Sequence, residues 1–180
     1  MIIGLVGKIG AGKDSFAKIL LNKFNFDEQI RFSDPLTEFM IGIGLELNRE
    51  NYMKVGYYLR KIFGKKVVID TIIRRIKDKS DKKLVVNGIR YKIEFDAIKS
   101  LGGIIVGIIT NDEIRFQRIN ERKRFDREIS WEEFLEYDKR ETEVEIDDLL
   151  KMTDYTIENN GTLEDLENEI KKLLAIIKKY

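Results

Sequence analysis

Five short apolar runs separated by helical stretches predict an α/β domain built on a mainly parallel sheet with helices on both faces. A glycine-rich turn between the first run and the first helix fits the same architecture. The 180-residue length and 43% hydrophobic content suffice for one domain with its own core.

The elements follow in order. Ile2–Val6 is an apolar, strand-like run. Ser15–Phe26 carries Phe16, Ile19, Leu20 and Phe24 near helical spacing and predicts a helix. Glu28–Ser33 is a second strand, and a helix starts at Pro35, a residue suited to the first helical position. From Thr37 to Lys79 no strand pattern occurs and the chain reads as mostly helical. Leu84–Asn87 is a short strand and Lys92–Leu101 a helix. Gly103–Thr110, rich in Ile, Val and Gly, predicts a fully buried strand. Asp112–Lys123 is a basic helix, and Ser130 with Glu133 forms a capping box for a helix running to about Arg140. Tyr155–Glu158 is the last strand, and Leu163, Leu166, Ile170, Leu173, Leu174 and Ile177 line the apolar face of a final helix.

Composition removes several chemistries. The chain has no Cys, which excludes disulfides, thiolate metal sites and a cysteine nucleophile. It has no His, which excludes a Ser-His-Asp triad and an imidazole base. Acid–base work falls to carboxylates, Lys or Tyr. The net charge of +1 argues against a general nucleic-acid or membrane binder. No run approaches the roughly 20 apolar residues of a membrane span, and no targeting segment is visible, so a cytoplasmic protein is expected. The 36% charged fraction fits a thermophilic source.

The strongest chemical signal is Gly7-Lys8-Ile9-Gly10-Ala11-Gly12-Lys13-Asp14-Ser15, between strand and helix. It matches the phosphate-binding pattern GxxxxGK[ST] at Gly7, Gly12 and Lys13. Glycines let successive N–H groups turn toward an anion, the helix N-terminus adds positive charge, and Lys13 reaches the β- and γ-phosphates of a nucleotide. Asp14 stands where Ser or Thr normally ligates Mg2+, with Ser15 next; either residue can supply the metal's oxygen ligand.

Further candidates lie downstream. Residues 115–127 hold six cations and two acids, net +4, whereas residues 128–150 hold ten acids and two cations, net −8. Arg115, Arg118 and Arg122 share a helical face, either to stabilise a transferring phosphoryl group or to pair with the acidic stretch. Asp34 is either a catalytic or orienting carboxylate or an N-cap before Pro35. Arg90, just past the third strand, is a phosphate clamp or a structural ion pair. Arg60 is a second acceptor-side candidate or a surface residue. Asn87 occupies the region where many NTPases carry an acid.

Together these motifs resemble the P-loop nucleoside and nucleotide kinases, and in particular the phage-type deoxynucleoside monophosphate kinases. The resemblance rests on Gly12-Lys13-Asp14, Phe32-Ser33-Asp34-Pro35-Leu36, Asn87-Gly88-Ile89-Arg90 with Glu94 and Ala97-Ile98, and Leu101-Gly102-Gly103. The C-terminal half looks like dephospho-coenzyme A kinase at Gln117-Arg118, Arg122 and Ile157–Thr162 with Leu166. The resemblance implies a three-layer P-loop fold with sheet order 2-3-1-4-5 and a single kinase domain over 1–180. It implies an acceptor-binding helical region at about 37–82 and an Arg-rich lid at about 115–140. It also implies ATP and Mg2+ as cofactors, Arg118 beside the adenine, Arg122 on phosphates, and Asn159 to Thr162, Gly161 included, near the adenine through backbone groups. Asn87 departs from the phage group, and the Asp-x-Asp element of dephospho-coenzyme A kinases is missing near Asp34.

The expected activity is ATP-dependent phosphoryl transfer to a small phosphorylated metabolite, foremost a nucleoside or deoxynucleoside monophosphate. Catalysis would involve Lys13, Asp34, Arg118 and Arg122, with Asp34, Arg60 and Arg90 on the acceptor. The alternatives are a dephospho-coenzyme A kinase-like reaction on a hydroxyl, or a nucleotide-binding factor or ATPase without an acceptor. A guanine-reading Asn-Lys-x-Asp motif is not found in the late-strand position.

Overall fold

Parallel pairing requires each strand to be re-entered by a crossover, and the alternation of apolar runs and helices supplies those crossovers. The computed structural model of the chain describes residues 1–64, 66–122, 127–139 and 141–177, with side chains at all but 49 and 141–144 of these. Its five strands are β1 (Ile2–Val6), β2 (Glu28–Arg31), β3 (Leu84–Asn87), β4 (Ile104–Ile109) and β5 (Tyr155–Glu158). They form one parallel sheet in the order β2-β3-β1-β4-β5. That is the expected order. β1 lies at the centre, with Ile3 in register with Leu84's neighbour Val85 on one side and with Ile104 on the other.

Alternating side chains feed two cores. On one face Ile3, Leu5, Val85 and Val106 pack against Phe16 and Leu20 of α1 (Lys13–Lys23) and against Leu166, Ile170 and Leu173 of α9 (Leu163–Ile177). On the other face Leu84, Val86 and Ile105 meet three helices. These are α4 (Val67–Lys77), α5 (Lys92–Ser100) and α8 (Glu141–Leu150), contributing Ile72 and Ile76, Phe95 and Ile98, and Ile146 and Leu149. Both faces of the central strands β1 and β3 are therefore covered, as continuous apolar strands require, while the edge strand β5 leaves Thr156 and Glu158 exposed.

The remaining helices frame the carboxyl edge of the sheet, where ligands of open α/β sheets bind. α2 (Asp34–Gly42) and α3 (Arg49–Phe63) follow β2. Asn48 caps α3 by accepting the Asn51 N–H at 2.9 Å. α6 (Asp112–Glu121) follows β4, and α7 (Trp131–Asp138) begins with the predicted capping box of Ser130 and Glu133. Phe134 of α7, Ile119 of α6 and Ile9 of the glycine-rich loop form a small third core, in which Phe116 and Trp131 stack edge to face at 5.2 Å.

Three sequence expectations shift. The first helix starts at Lys13 rather than Ser15 and stops at Lys23, because Asn25 adopts a left-handed φ of 57° and turns the chain toward β2. The acidic stretch contains α8, which sequence reading passed over: among its described side chains Ile146 and Leu149 are buried, and acids dominate the sequence around them. Asp34 is not the N-cap of α2. Ser33 takes the cap position, and the Asp34 carboxylate instead accepts the Arg31 N–H at 2.6 Å. Lys123 and Arg124 of the basic segment and the expected helix end at Arg140 lie outside the described residues.

The seating of α8 makes a specific prediction. Ile146→Ala should lower unfolding free energy by about 2–5 kcal/mol, as for other fully buried Ile truncations, read as a shifted midpoint in urea denaturation.

Candidate nucleotide and acceptor site

The loop from Gly7 to Gly12 leaves the end of β1 and enters α1 directly. Gly10 and Gly12 have φ of 80° and 98°, a region that side chains avoid. A Cβ at Gly12 would also lie 2.1 Å from the Asn159 amide nitrogen, so only glycine fits there. Among the described residues no side chain caps the N-terminus of α1, whose positive end faces the loop as an anion site requires. Lys13 arches over the loop, its Nζ donating to the carbonyls of Gly7 at 2.5 Å and Lys8 at 2.9 Å.

The loop carbonyls are tied back from outside. The Ala11 carbonyl accepts from Asn159 Nδ2 at 2.8 Å and from Thr110 Oγ1 at 3.1 Å. The Ile9 carbonyl accepts from Arg115 Nη1 at 3.1 Å. Lys8 sends its side chain away from the loop mouth, to Asp147 at 2.9 Å and Asp138 at 3.4 Å. Burial opposes the charge of Lys8, and the two carboxylates outweigh it and raise its pKa. At Lys8 and Ile9, then, the backbone is what a ligand can meet.

The three arginines expected on one face have three different surroundings. Arg115 is 1% exposed and bonds Asp112 and Asp138, with its guanidinium 4.9 Å from the Phe134 ring centroid. Burial works against its charge, but the two carboxylates raise its pKa on balance. It supports the loop from below. Arg118 donates to the carbonyls of Asn159 at 3.0 Å and Gly161 at 3.2 Å, fastening the turn after β5 beside Gly12. Burial and the neighbouring Arg122 lower its pKa. Arg122, at the far end of α6, reaches open space beside the loop.

That space is a cleft of about 510 Å3 lined by Asp14, Ser15, Lys18, Arg31 and Arg122. Three cations face one carboxylate, so the cleft favours an anion. Asn87, buried at the end of β3, donates to Asp14 Oδ1 at 3.0 Å, and Arg31 Nη2 lies 3.7 Å from the same oxygen. Sequence reading missed Arg31 and Lys18. Arg31 was within reach, since it ends β2 at the ligand-binding edge. Among the described residues no cluster of three or more acidic side chains suits a metal. Mg2+ does not require one, because it keeps waters and takes one or two protein oxygens beside substrate phosphates. The Asp14 carboxylate and Ser15 hydroxyl fit that demand.

Arg60 and Arg90 meet elsewhere, around Tyr91 and Glu94. The Arg60 guanidinium stands 5.2 Å from the Tyr91 ring centroid. Glu94, 4% exposed, accepts the N–H groups of Arg90 at 2.8 Å and Tyr91 at 3.3 Å. Burial pushes its carboxyl up to about 7, against the pull of those N–H groups and of Arg60 and Arg90. The cleft lining includes neither arginine, nor Asp34.

A carboxyl with a folded pKa near 7 and an ordinary value of 4.5 keeps its proton longer in the folded state. Its contribution to stability is therefore complete below about pH 4.5 and is lost as pH rises through about 7, on the order of 3 kcal/mol at most. Glu94→Gln, which retains an acceptor oxygen, should flatten that fall when urea midpoints at pH 5 and pH 8 are compared with those of the parent. An unchanged slope would show that Glu94 is ionised throughout.

Comparison with known proteins agrees with this geometry. A family model described as an AAA domain matches residues 3–146. A UPF0200 protein of Thermococcus kodakarensis is 32% identical, with 97% of this chain and 96% of that protein covered. A UPF0200 protein of Methanococcus maripaludis is 29% identical, with coverage of 97% and 98%. Among solved structures, dephospho-CoA kinase from Campylobacter jejuni has a TM-score of 0.62 at 19% identity, covering 99% of this chain and 97% of that one. Shikimate kinase from Aquifex aeolicus has a TM-score of 0.59 at 17% identity, covering 97% and 96%. Those likenesses establish a P-loop kinase-like fold, and the sequence matches establish that the chain belongs to the UPF0200 family within the AAA domain proteins.

Proposed function

We propose that the protein is an ATP-dependent kinase that phosphorylates a small phosphorylated acceptor, foremost a nucleoside or deoxynucleoside monophosphate. The observation that carries this reading is the cationic cleft of Lys18, Arg31 and Arg122 beside the glycine-rich loop. Two anions placed side by side, a donor triphosphate and an acceptor phosphate, need such a surplus of positive charge.

In this reading the N–H groups of the loop and of the start of α1 hold the donor phosphates, and Lys13 leaves its carbonyl partners for the β- and γ-phosphates. The turn Asn159–Gly161, fastened by Arg118, borders the nucleoside. Mg2+, held at Asp14 or Ser15, supplies charge neutralisation on the donor phosphates. Arg122 stabilises the charge of the transferring phosphoryl group. Arg31 and Lys18 orient the acceptor phosphate, and Arg60 and Arg90 serve a more distant part of the acceptor. An acceptor phosphate oxygen is already ionised and needs no general base, which suits a chain without His. A hydroxyl acceptor would depend on Asp34, whose carboxylate is engaged by the Arg31 N–H. The reading also covers the finer family expectation, likeness to the phage-type kinases, and a cytoplasmic setting. Among the described residues no helix is long and apolar enough to cross a membrane. The charge-rich composition and the Thermococcus relative support adaptation to heat.

Lys13→Ala should abolish ATP binding in calorimetry, because it removes the ammonium group that arches over the loop carbonyls of Gly7 and Lys8. The decisive assay is coupled ADP release screened over nucleoside and deoxynucleoside monophosphates, dephospho-coenzyme A and a no-acceptor control. ADP that depends on a monophosphate is expected. Release only with dephospho-coenzyme A, or equal release without acceptor, sinks the proposal. Arg31→Met should raise the acceptor KM tenfold or more while the ATP KM moves little, as for loss of about 1.5–3 kcal/mol in one charged hydrogen bond.

A further inference from the structure

Large apolar side chains are unevenly exposed. Among the described residues, ten of the fifteen that are well exposed fall between Phe39 and Phe63. The inner side of α3, with Tyr52, Val55 and Leu59, packs on the core shared with α4. Its outer side nevertheless shows Met53, Tyr57, Tyr58 and Ile62, each more than half exposed. A monomeric surface helix normally turns polar residues outward. The loop before α3 extends the patch. Asn51 Nδ2 holds the Glu46 carbonyl at 2.9 Å, so exposed Leu45 and Leu47 lie beside the helix start. At the usual 150–250 Å2 for a large side chain, the half-exposed residues from Ile43 to Phe63 present on the order of 800 Å2. That is about what each partner contributes to a stable protein interface, and more than the largest patch typical of a monomer.

We propose that this face pairs with a second copy of the chain, through antiparallel packing of the two α3 helices about a two-fold axis. The sequence of the outer stripe is complementary to itself. Glu50, Met53, Lys54, Tyr57, Tyr58 and Lys61 follow the three-and-four spacing of a helix seam. A two-fold axis near residues 55 and 56 sets Glu50 opposite the partner's Lys61, Met53 opposite the partner's Tyr58, and Lys54 opposite the partner's Tyr57. Each ion pair and each ammonium–ring contact then occurs twice. Lys61 already lies 5.6 Å from the Tyr57 ring centroid within one chain, and Lys54 pairs with Glu50 at 2.5 Å, so both ammonium groups already contact residues of the same stripe. The stripe carries one acid and two bases, too little positive charge for a membrane surface or a nucleic-acid backbone. The pairing leaves the cleft free, because none of its lining residues lies on α3.

Sedimentation velocity on the full chain without nucleotide tests this independently of any kinase activity. A species of twice the chain mass is expected at micromolar concentration. Tyr58→Glu should give a monomer with unchanged far-UV circular dichroism. Glu50→Lys and Lys61→Glu should each weaken the dimer at least tenfold, and the double exchange should restore it to within threefold of the parent. A monomeric parent at 100 μM, a dimer indifferent to Tyr58→Glu, or a double exchange that fails to restore pairing would each overturn the proposal. Binding of anionic vesicles by a monomeric parent would assign the face to a membrane instead.

Discussion

The site depends on holding the carbonyls of one loop outward. A backbone that turns its N–H groups toward an anion must satisfy its carbonyls on the other side, in a place closed to water. Here three buried donors do so: Thr110 and Asn159 on the Ala11 carbonyl, and Arg115 on that of Ile9. Thr110 and Asn159 sit just past β4 and β5, so sheet register sets the loop's shape. The left-handed turns at Gly10 and Gly12 are the local expression of that restraint.

The same restraint explains the charge distribution. A buried guanidinium is costly unless its donors are satisfied, and Arg115 is satisfied by Asp112, Asp138 and the Ile9 carbonyl together. Asp138 and Asp147 also draw Lys8 outward, away from the loop mouth. The acidic helices α7 and α8 therefore neutralise cations behind the loop. Lys18, Arg31 and Arg122 remain on the cleft side, opposed there by Asp14. Positive charge is thus concentrated at the carboxyl edge of the sheet while the chain as a whole stays near neutral.

Local sequence resolved the elements whose signal is dense. Leu84–Asn87 and Tyr155–Glu158 match their strands residue for residue, and the capping box at Ser130 marks the start of α7. α8 escaped because acids dominate its sequence around the buried Ile146 and Leu149. Asp34 before Pro35 looked like a cap, yet a one-residue difference in helix start gives the cap position to Ser33 and frees the carboxylate for the Arg31 N–H. Arg31 itself gave no periodic or motif signal. It matters through the pairing of β2 with β3, which brings it beside Asp14 and Asn87.

The sequence alone determined the fold class, the glycine-rich loop and the absence of imidazole and thiol chemistry, because these rest on composition and on residues near one another in the chain. Only the tertiary structure decided what each charged residue meets. Arg115, Arg118 and Arg122 are alike in spacing, but the first lies under the loop, the second on the turn after β5, and the third in the cleft, about 10 Å beyond the first along α6. Helical periodicity specifies the direction of a side chain, not the depth at which the packed body of the protein covers it. That depth separates a buried support from a ligand-facing cation.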